Sequence, residues 1–136
     1  MLHPRAPQVG AVLVNLNPSY RAAELEHVLH LCQVETLVMA AGSKGVDHLA
    51  IVERLLTEGR LPRLRHRVLL PQGGGGDDGR GGAHGGSRHG ALLSWEALRC
   101  AGEAEGASGR RLAAALNLRK AELRPEQCAN IQFTSG

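Results

Sequence analysis

Gly10-Ala11-Val12-Leu13-Val14-Asn15-Leu16-Asn17-Pro18-Ser19-Tyr20 opens the stretch on which the fold turns. Residues 10–16 form a nearly continuous apolar run, consistent with a strand buried on both faces. Asn17-Pro18-Ser19 reads as a turn, because proline presets φ and either Asn17 or Ser19 has a side chain able to cap a helix. Ala22, Leu25, Val28, Leu29 and Cys32 then recur at helical spacing, with Glu24, Glu26 and Glu35 off that stripe or beyond it. Thr36-Leu37-Val38-Met39-Ala40 is a second short apolar run. Strand, helix and strand within about thirty residues predict one right-handed βαβ unit.

Working outward, Gly42-Ser43-Lys44-Gly45 reads as a loop. Leu49, Val52, Leu55 and Leu56 mark a second helix, ended by Gly59 and Pro62. His66-Arg67-Val68-Leu69-Leu70 fits a third strand, and the alternation of strands with helices predicts a parallel α/β sheet. Residues 72–90 differ in kind, since they hold ten of the chain's eighteen glycines. Such a stretch cannot bury enough apolar area to offset its ordering entropy, so it is expected to be a disordered, low-complexity insertion. Ser94-Trp95-Glu96-Ala97-Leu98 suggests a short capped helix, and residues 110–122 have good helix propensity, broken by Pro125.

At the other end, Ala129-Asn130-Ile131-Gln132-Phe133 alternates as a strand does and runs straight into Thr134-Ser135-Gly136. Two hydroxyls and a residue free to take positive φ, placed at the end of a strand, are a way to offer donors to a phosphate. The same tripeptide is also an ordinary turn.

Residues 10–29, read with 129–136, resemble the AMP-forming acyl-CoA synthetases of the adenylating-enzyme superfamily. In that family a "GAVLVNLNPxYRAxELExxL" segment lies upstream of a strand "INIQFTSG", which opens the loop "TSGTTGxPKG". The wording of the second segment is similar to the fatty-acid and medium-chain ligase branch. Two segments in the right order are far more specific than either alone. The resemblance runs over 10–40, extends across 46–70 and returns over 123–136, and it is poor over 71–122. It implies that residues 1–136 are a partial N-terminal AMP-binding (adenylation) domain of α/β class, with 72–90 as the insertion. It also implies that Thr134, Ser135 and Gly136 hold the β- and γ-phosphates of ATP.

The activity so implied joins a fatty acid or another carboxylic acid to ATP as an acyl-adenylate, and CoA thiol then displaces AMP. ATP, CoA and Mg²⁺ are the cofactors of the full-length family enzyme, and none is expected to bind this chain firmly. The Thr-Thr-Gly and lysine that complete the loop, the glutamate motif, the ribose-binding aspartate, the hinge and the C-terminal lysine are not among the 136 residues. The chain is therefore expected to be a fragment ending inside the phosphate loop, inactive by itself, with no catalytic residue of its own. The alternative is a non-catalytic α/β interaction module on a ligase scaffold. With few strands and few covering helices, low stability is expected.

Composition narrows the other classes. Fourteen arginines outnumber two lysines for a formal charge of +3, but they are scattered. Aromatic residues make up only 2% of the chain, so stacking platforms for bases are lacking and no nucleic-acid partner is expected. A single Arg80-Gly81-Gly82 is a weak RNA-binding cue that a solvated linker explains as well. Cys32, Cys100 and Cys128 form no close pair, which reads as reduced thiols in an intracellular compartment: cytosol, mitochondrion or peroxisome. No apolar run reaches the length of a transmembrane segment.

Several patterns resolve to bland readings. Gly74-Gly75-Gly76-Asp77-Asp78-Gly79 satisfies GxGxxG, but no helix opens after it and two aspartates would repel phosphate. Glu24, His27 and His30 lack the partner carboxylates of a di-iron helix, His84 and His89 lack a fixed geometry, and no metal site is assigned. Ser94 and Cys100 have no base positioned beside them. Asn17, Pro18 and Tyr20 are read as shaping the turn after the first strand.

Overall fold

A computed structural model of the chain describes residues 7–43, 45–71, 84–87, 90–103 and 106–133. A 3₁₀ turn, Pro7–Val9, precedes β1 (Leu13–Asn15), α1 (Ala22–Leu31), β2 (Thr36–Met39), β3 (Gly42–Ser43) and β4 (Val46–Asp47). Then come α2 (His48–Thr57), β5 (His66–Leu69), β6 (His84–Ser87), β7 (Gly90–Ser94), α3 (Trp95–Gly102), α4 (Gly106–Ala121) and β8 (Asn130–Gln132). The chain divides into two compact units, one of residues 17–101 and one of residues 1–16 with 102–136.

The unit 17–101 is built on a four-stranded sheet of order β2-β5-β7-β6. β2 pairs with β5 and β5 with β7, both parallel, while β6 closes the far edge antiparallel to β7. The class is α/β with parallel strands, as the sequence implies. The crossover is a different one from that expected between residues 10 and 40. β1 and β2 do not pair, and the parallel βαβ connection is instead β2–α2–β5, in register Leu37↔Arg67 and Val38↔Val68. The apolar runs identified two strands and the helix between them correctly, but a run carries no label for its partner.

Both helices bury the faces that the spacing predicts. Leu25, Val28 and Leu29 of α1 and Val52, Leu55 and Leu56 of α2 are buried, and with Leu37, Leu61, Leu64 and Val68 they form the aliphatic core. The start of α1 differs from expectation. Asn17 does not cap the helix; its Oδ1 accepts from the Ser19 N–H at 2.9 Å, and its carbonyl accepts from the Tyr20 N–H. Glu24 instead reaches back to the Arg21 N–H at 2.8 Å. For α2, the Asp47 carboxylate accepts from the Ala50 N–H at 2.9 Å. α1 ends in a Schellman motif, with Gln33 N–H donating to His30 O and Val34 N–H to Leu29 O. Gln33 fills its left-handed position at φ 49°, the one described non-glycine residue with positive φ.

One core residue is charged. Arg67, on β5, is only 1% exposed. Its Nη1 donates to Glu53 Oε1 of α2, and its Nη2 donates to the Gly90 carbonyl at 3.0 Å. A guanidinium inside an aliphatic core is tolerable only with such partners.

Two further differences concern short elements. Of the loop expected over residues 42–45, Gly42 and Ser43 run as β3, paired Gly42↔Asp47 and Ser43↔Val46 with β4, and Lys44 lies outside the described residues. Within the glycine-rich stretch, 72–83 and 88–89 lie outside the described residues, and His84–Ser87 run as β6. Ser94 does cap α3, its Oγ accepting from the Ala97 N–H at 3.0 Å.

Candidate phosphate-binding site

The unit of residues 1–16 and 102–136 carries the candidate site. β1 and β8 form a two-stranded parallel ladder in register Leu13↔Asn130, Val14↔Ile131 and Asn15↔Gln132. The Leu13 N–H donates to the Ala129 carbonyl at 3.0 Å, which fixes the start of the register. Gly10 leads into β1 at φ +76°, and a Cβ there would stand 3.2 Å from Leu123 Cδ2, so glycine suits both the backbone and the space. The two segments that carry the family resemblance are therefore bonded neighbours.

Because the ladder is parallel, both strands leave it on the same edge, past Asn15 and past Gln132. Ligands in α/β folds gather at the carboxyl ends of parallel strands. Phe133, half-buried, is the last described residue on that path. Thr134, Ser135 and Gly136, the expected phosphate donors, lie outside the described residues. β1 itself is only half-buried, and Val12 beside it is 45% exposed, so the expected burial on both faces is not found.

Glu24, His27 and His30 are exposed on α1, and the Glu24 carboxylate is engaged with the Arg21 N–H. Among the described residues, no three His, Cys, Asp or Glu side chains gather where they could hold a metal ion. Cys100 is exposed, its Sγ 3.8 Å from Glu96 Oε1, and all three cysteines are free. The Arg99 guanidinium, donating to the Glu96 carboxylate, holds that carboxyl below its ordinary range. The pair lies on exposed α3 and is a surface contact. Residues 74–82 and His89 lie outside the described residues, as does the His84 side chain. A small cavity of about 120 Å³ between the end of α1 and the Leu61–Leu64 turn is the size of a few waters, too small for a nucleotide.

Sequence reasoning missed two residues that organise the described structure. His48 Nε2 lies 3.0 Å from the Pro18 carbonyl and ties the Asn17–Tyr20 turn to the start of α2. No local pattern links residues thirty positions apart. Arg67 did carry a signal, since a charge inside an apolar strand demands a buried partner.

The family model for AMP-binding enzyme matches residues 6–136. The chain belongs to the AMP-binding enzyme family. No curated protein and no solved structure matches it. Membership places the chain in the adenylating-enzyme superfamily, and its mixed α/β architecture with parallel strands is consistent with part of an AMP-binding domain. The match takes in both paired segments of the β1–β8 ladder as well as Thr134, Ser135 and Gly136. Among the described residues, no helix is long and apolar enough to cross a membrane.

Proposed function

We propose that the chain forms part of the adenylation domain of a fatty acid–CoA ligase, and that Thr134, Ser135 and Gly136 contribute to holding the pyrophosphate portion of ATP. The observation that carries this reading is the Val14↔Ile131 pairing, which sets the two family-like segments side by side with the tripeptide next along the chain. The donor set fits an anion: two hydroxyls and a glycine N–H, with no acidic side chain in residues 129–136. Mg²⁺ would arrive with the nucleotide and screen its phosphate charge. In this reading the chain's own contribution is positional, since β8, held by β1, leads directly toward the tripeptide. On the same reading the substrate carboxylate attacks the α-phosphate and pyrophosphate leaves, and the 136 residues by themselves are expected to be inactive.

ATP–pyrophosphate exchange with a panel of fatty acids tests it, on the 136-residue chain and on any longer product of the same reading frame. The longer product is expected to exchange, and Thr134→Ala with Ser135→Ala should lower the rate by about a hundredfold. Exchange untouched by the double substitution would remove the phosphate role. Exchange supported only by carboxylates other than fatty acids would remove the branch assignment.

One observation favours the second reading, a non-catalytic interaction module. α4 has no buried residue, and Leu112 and Leu118 on it are 50% and 69% exposed. A cooperative melt of the isolated chain, together with a defined partner that protects α4 from hydrogen exchange, would support this reading over the first.

A further inference from the structure

β7 is poorly equipped to find its own register. It reads Gly90-Ala91-Leu92-Leu93-Ser94, and all five residues are half-buried, with no alternation between an inside and an outside face. A strand without such alternation can slip by a residue at little hydrophobic cost. On its other side the pairing with β6 is itself irregular, shifting between His84 and Ser87. Yet β7 lies in regular parallel register on β5, from His66↔Ala91 to Leu69↔Ser94.

Two neighbouring devices supply what the pattern lacks. Gly90 stands at φ +92° so close to β5 that a Cβ would lie 2.2 Å from the Arg65 carbonyl oxygen. That same oxygen accepts from the Ala91 N–H at 2.9 Å. From the next residue but one, the buried Arg67 reaches across to the Gly90 carbonyl at 3.0 Å. The Arg67 guanidinium is anchored in turn by Glu53 of α2, and its Nε has no partner among the described residues. Held by Glu53 on one side and bonded to Gly90 on the other, the Arg67 guanidinium has little freedom to follow a slipped strand.

We infer that Arg67, Glu53 and Gly90 form a register clamp that fixes β7 on β5 regardless of the length of the chain between them. The glycine-rich stretch ahead of β6, residues 72–83, can then vary in length without disturbing the β5–β7 pairing. Lengthening a connection adds only slowly to its closure entropy, so a clamp at its exit is enough to insulate the strands.

The test lengthens the connection in the full chain, by ten Gly/Ser residues placed between Gly76 and Asp77, and follows amide hydrogen exchange at Ala91 and Leu93 with the Gly90 Cα shift. With the clamp intact, protection should change by less than about threefold and the Gly90 shift should stay put. With Arg67→Met, the same lengthening should lower protection by more than about tenfold. Glu53→Gln, which keeps the Arg67–Gly90 bond, serves if Arg67→Met does not fold, and should give an intermediate loss. Equal losses with and without the clamp substitution would overturn the inference, and so would no loss in either.

Discussion

Removing Glu53 should harm this protein more than removing the arginine it serves. Arg67 is 1% exposed, whereas the Glu53 side chain is 41% exposed. Two unit charges about 4 Å apart at an effective dielectric near 20 attract by about 4 kcal/mol. Glu53→Ala strands the guanidinium in the core, and breaking a buried pair from one side costs about 3–5 kcal/mol; water at the Glu53 end places the expected loss near the bottom of that range. Arg67→Met removes the buried charge itself, leaving mainly the Gly90 carbonyl without its donor, for a loss of about 1 kcal/mol. In the Arg67→Met background, Glu53→Ala becomes a surface change of about 0.5 kcal/mol. The coupling in the double-mutant cycle is therefore expected near 2.5 kcal/mol. Urea unfolding followed by fluorescence of Trp95, the only tryptophan, reads all four variants. With m near 1–3 kcal/mol/M, Glu53→Ala should lower the midpoint by roughly 1–3 M. A loss below about 1 kcal/mol, or the same loss in both backgrounds, would refute the claim that Arg67 is a buried charge dependent on Glu53.

Four other predictions use the same assay or NMR. Gly90→Ala should cost at least about 3 kcal/mol, because φ is +92° and the added carbon would meet the Arg65 carbonyl at 2.2 Å. Gly102→Ala, with open space around it, should be neutral or stabilising by up to about 1 kcal/mol, and equal effects at the two sites would contradict the described contact. Gln33→Gly should stabilise by about 0.5–1 kcal/mol by relieving the left-handed backbone at φ 49°, and an unchanged or lower midpoint would show that no strain is felt there. The Glu96 carboxyl lies below its ordinary range because Arg99 donates to it, so its stabilisation is present above the unfolded carboxylate pKa and lost as pH falls through the folded one. Arg99→Gln should move the Glu96 titration up toward ordinary carboxylates and flatten the acid limb of stability, while an unmoved titration would remove Arg99 as the cause.

Much of the unit 17–101 was legible because burial there follows period. Leu25, Val28 and Leu29, or Val52, Leu55 and Leu56, are buried on one helix face by the spacing that names the helix. β2 and β5 were legible as short apolar runs for the same reason. Pairing was not, since β1 and β2 look equally suited to one another, and only tertiary packing puts β1 against β8. β6 was hidden by its composition, because glycine carries no side-chain pattern to read. The Asn17 cap went to a turn, as Asn side chains compete for whichever local N–H is nearest. The phosphate donors were inferred from a motif, and the paired strands leading to them are the part with a structural counterpart.

The Leu13↔Asn130 contact also has a consequence in time. During synthesis, the sheet around β5 can assemble once residue 94 has emerged, while β1 must wait for residue 130 before it has a partner. The early half of its ladder is thus left unpaired while more than a hundred further residues are made, a window in which Val12, Leu13 and Val14 are open to chaperones or to neighbouring nascent chains.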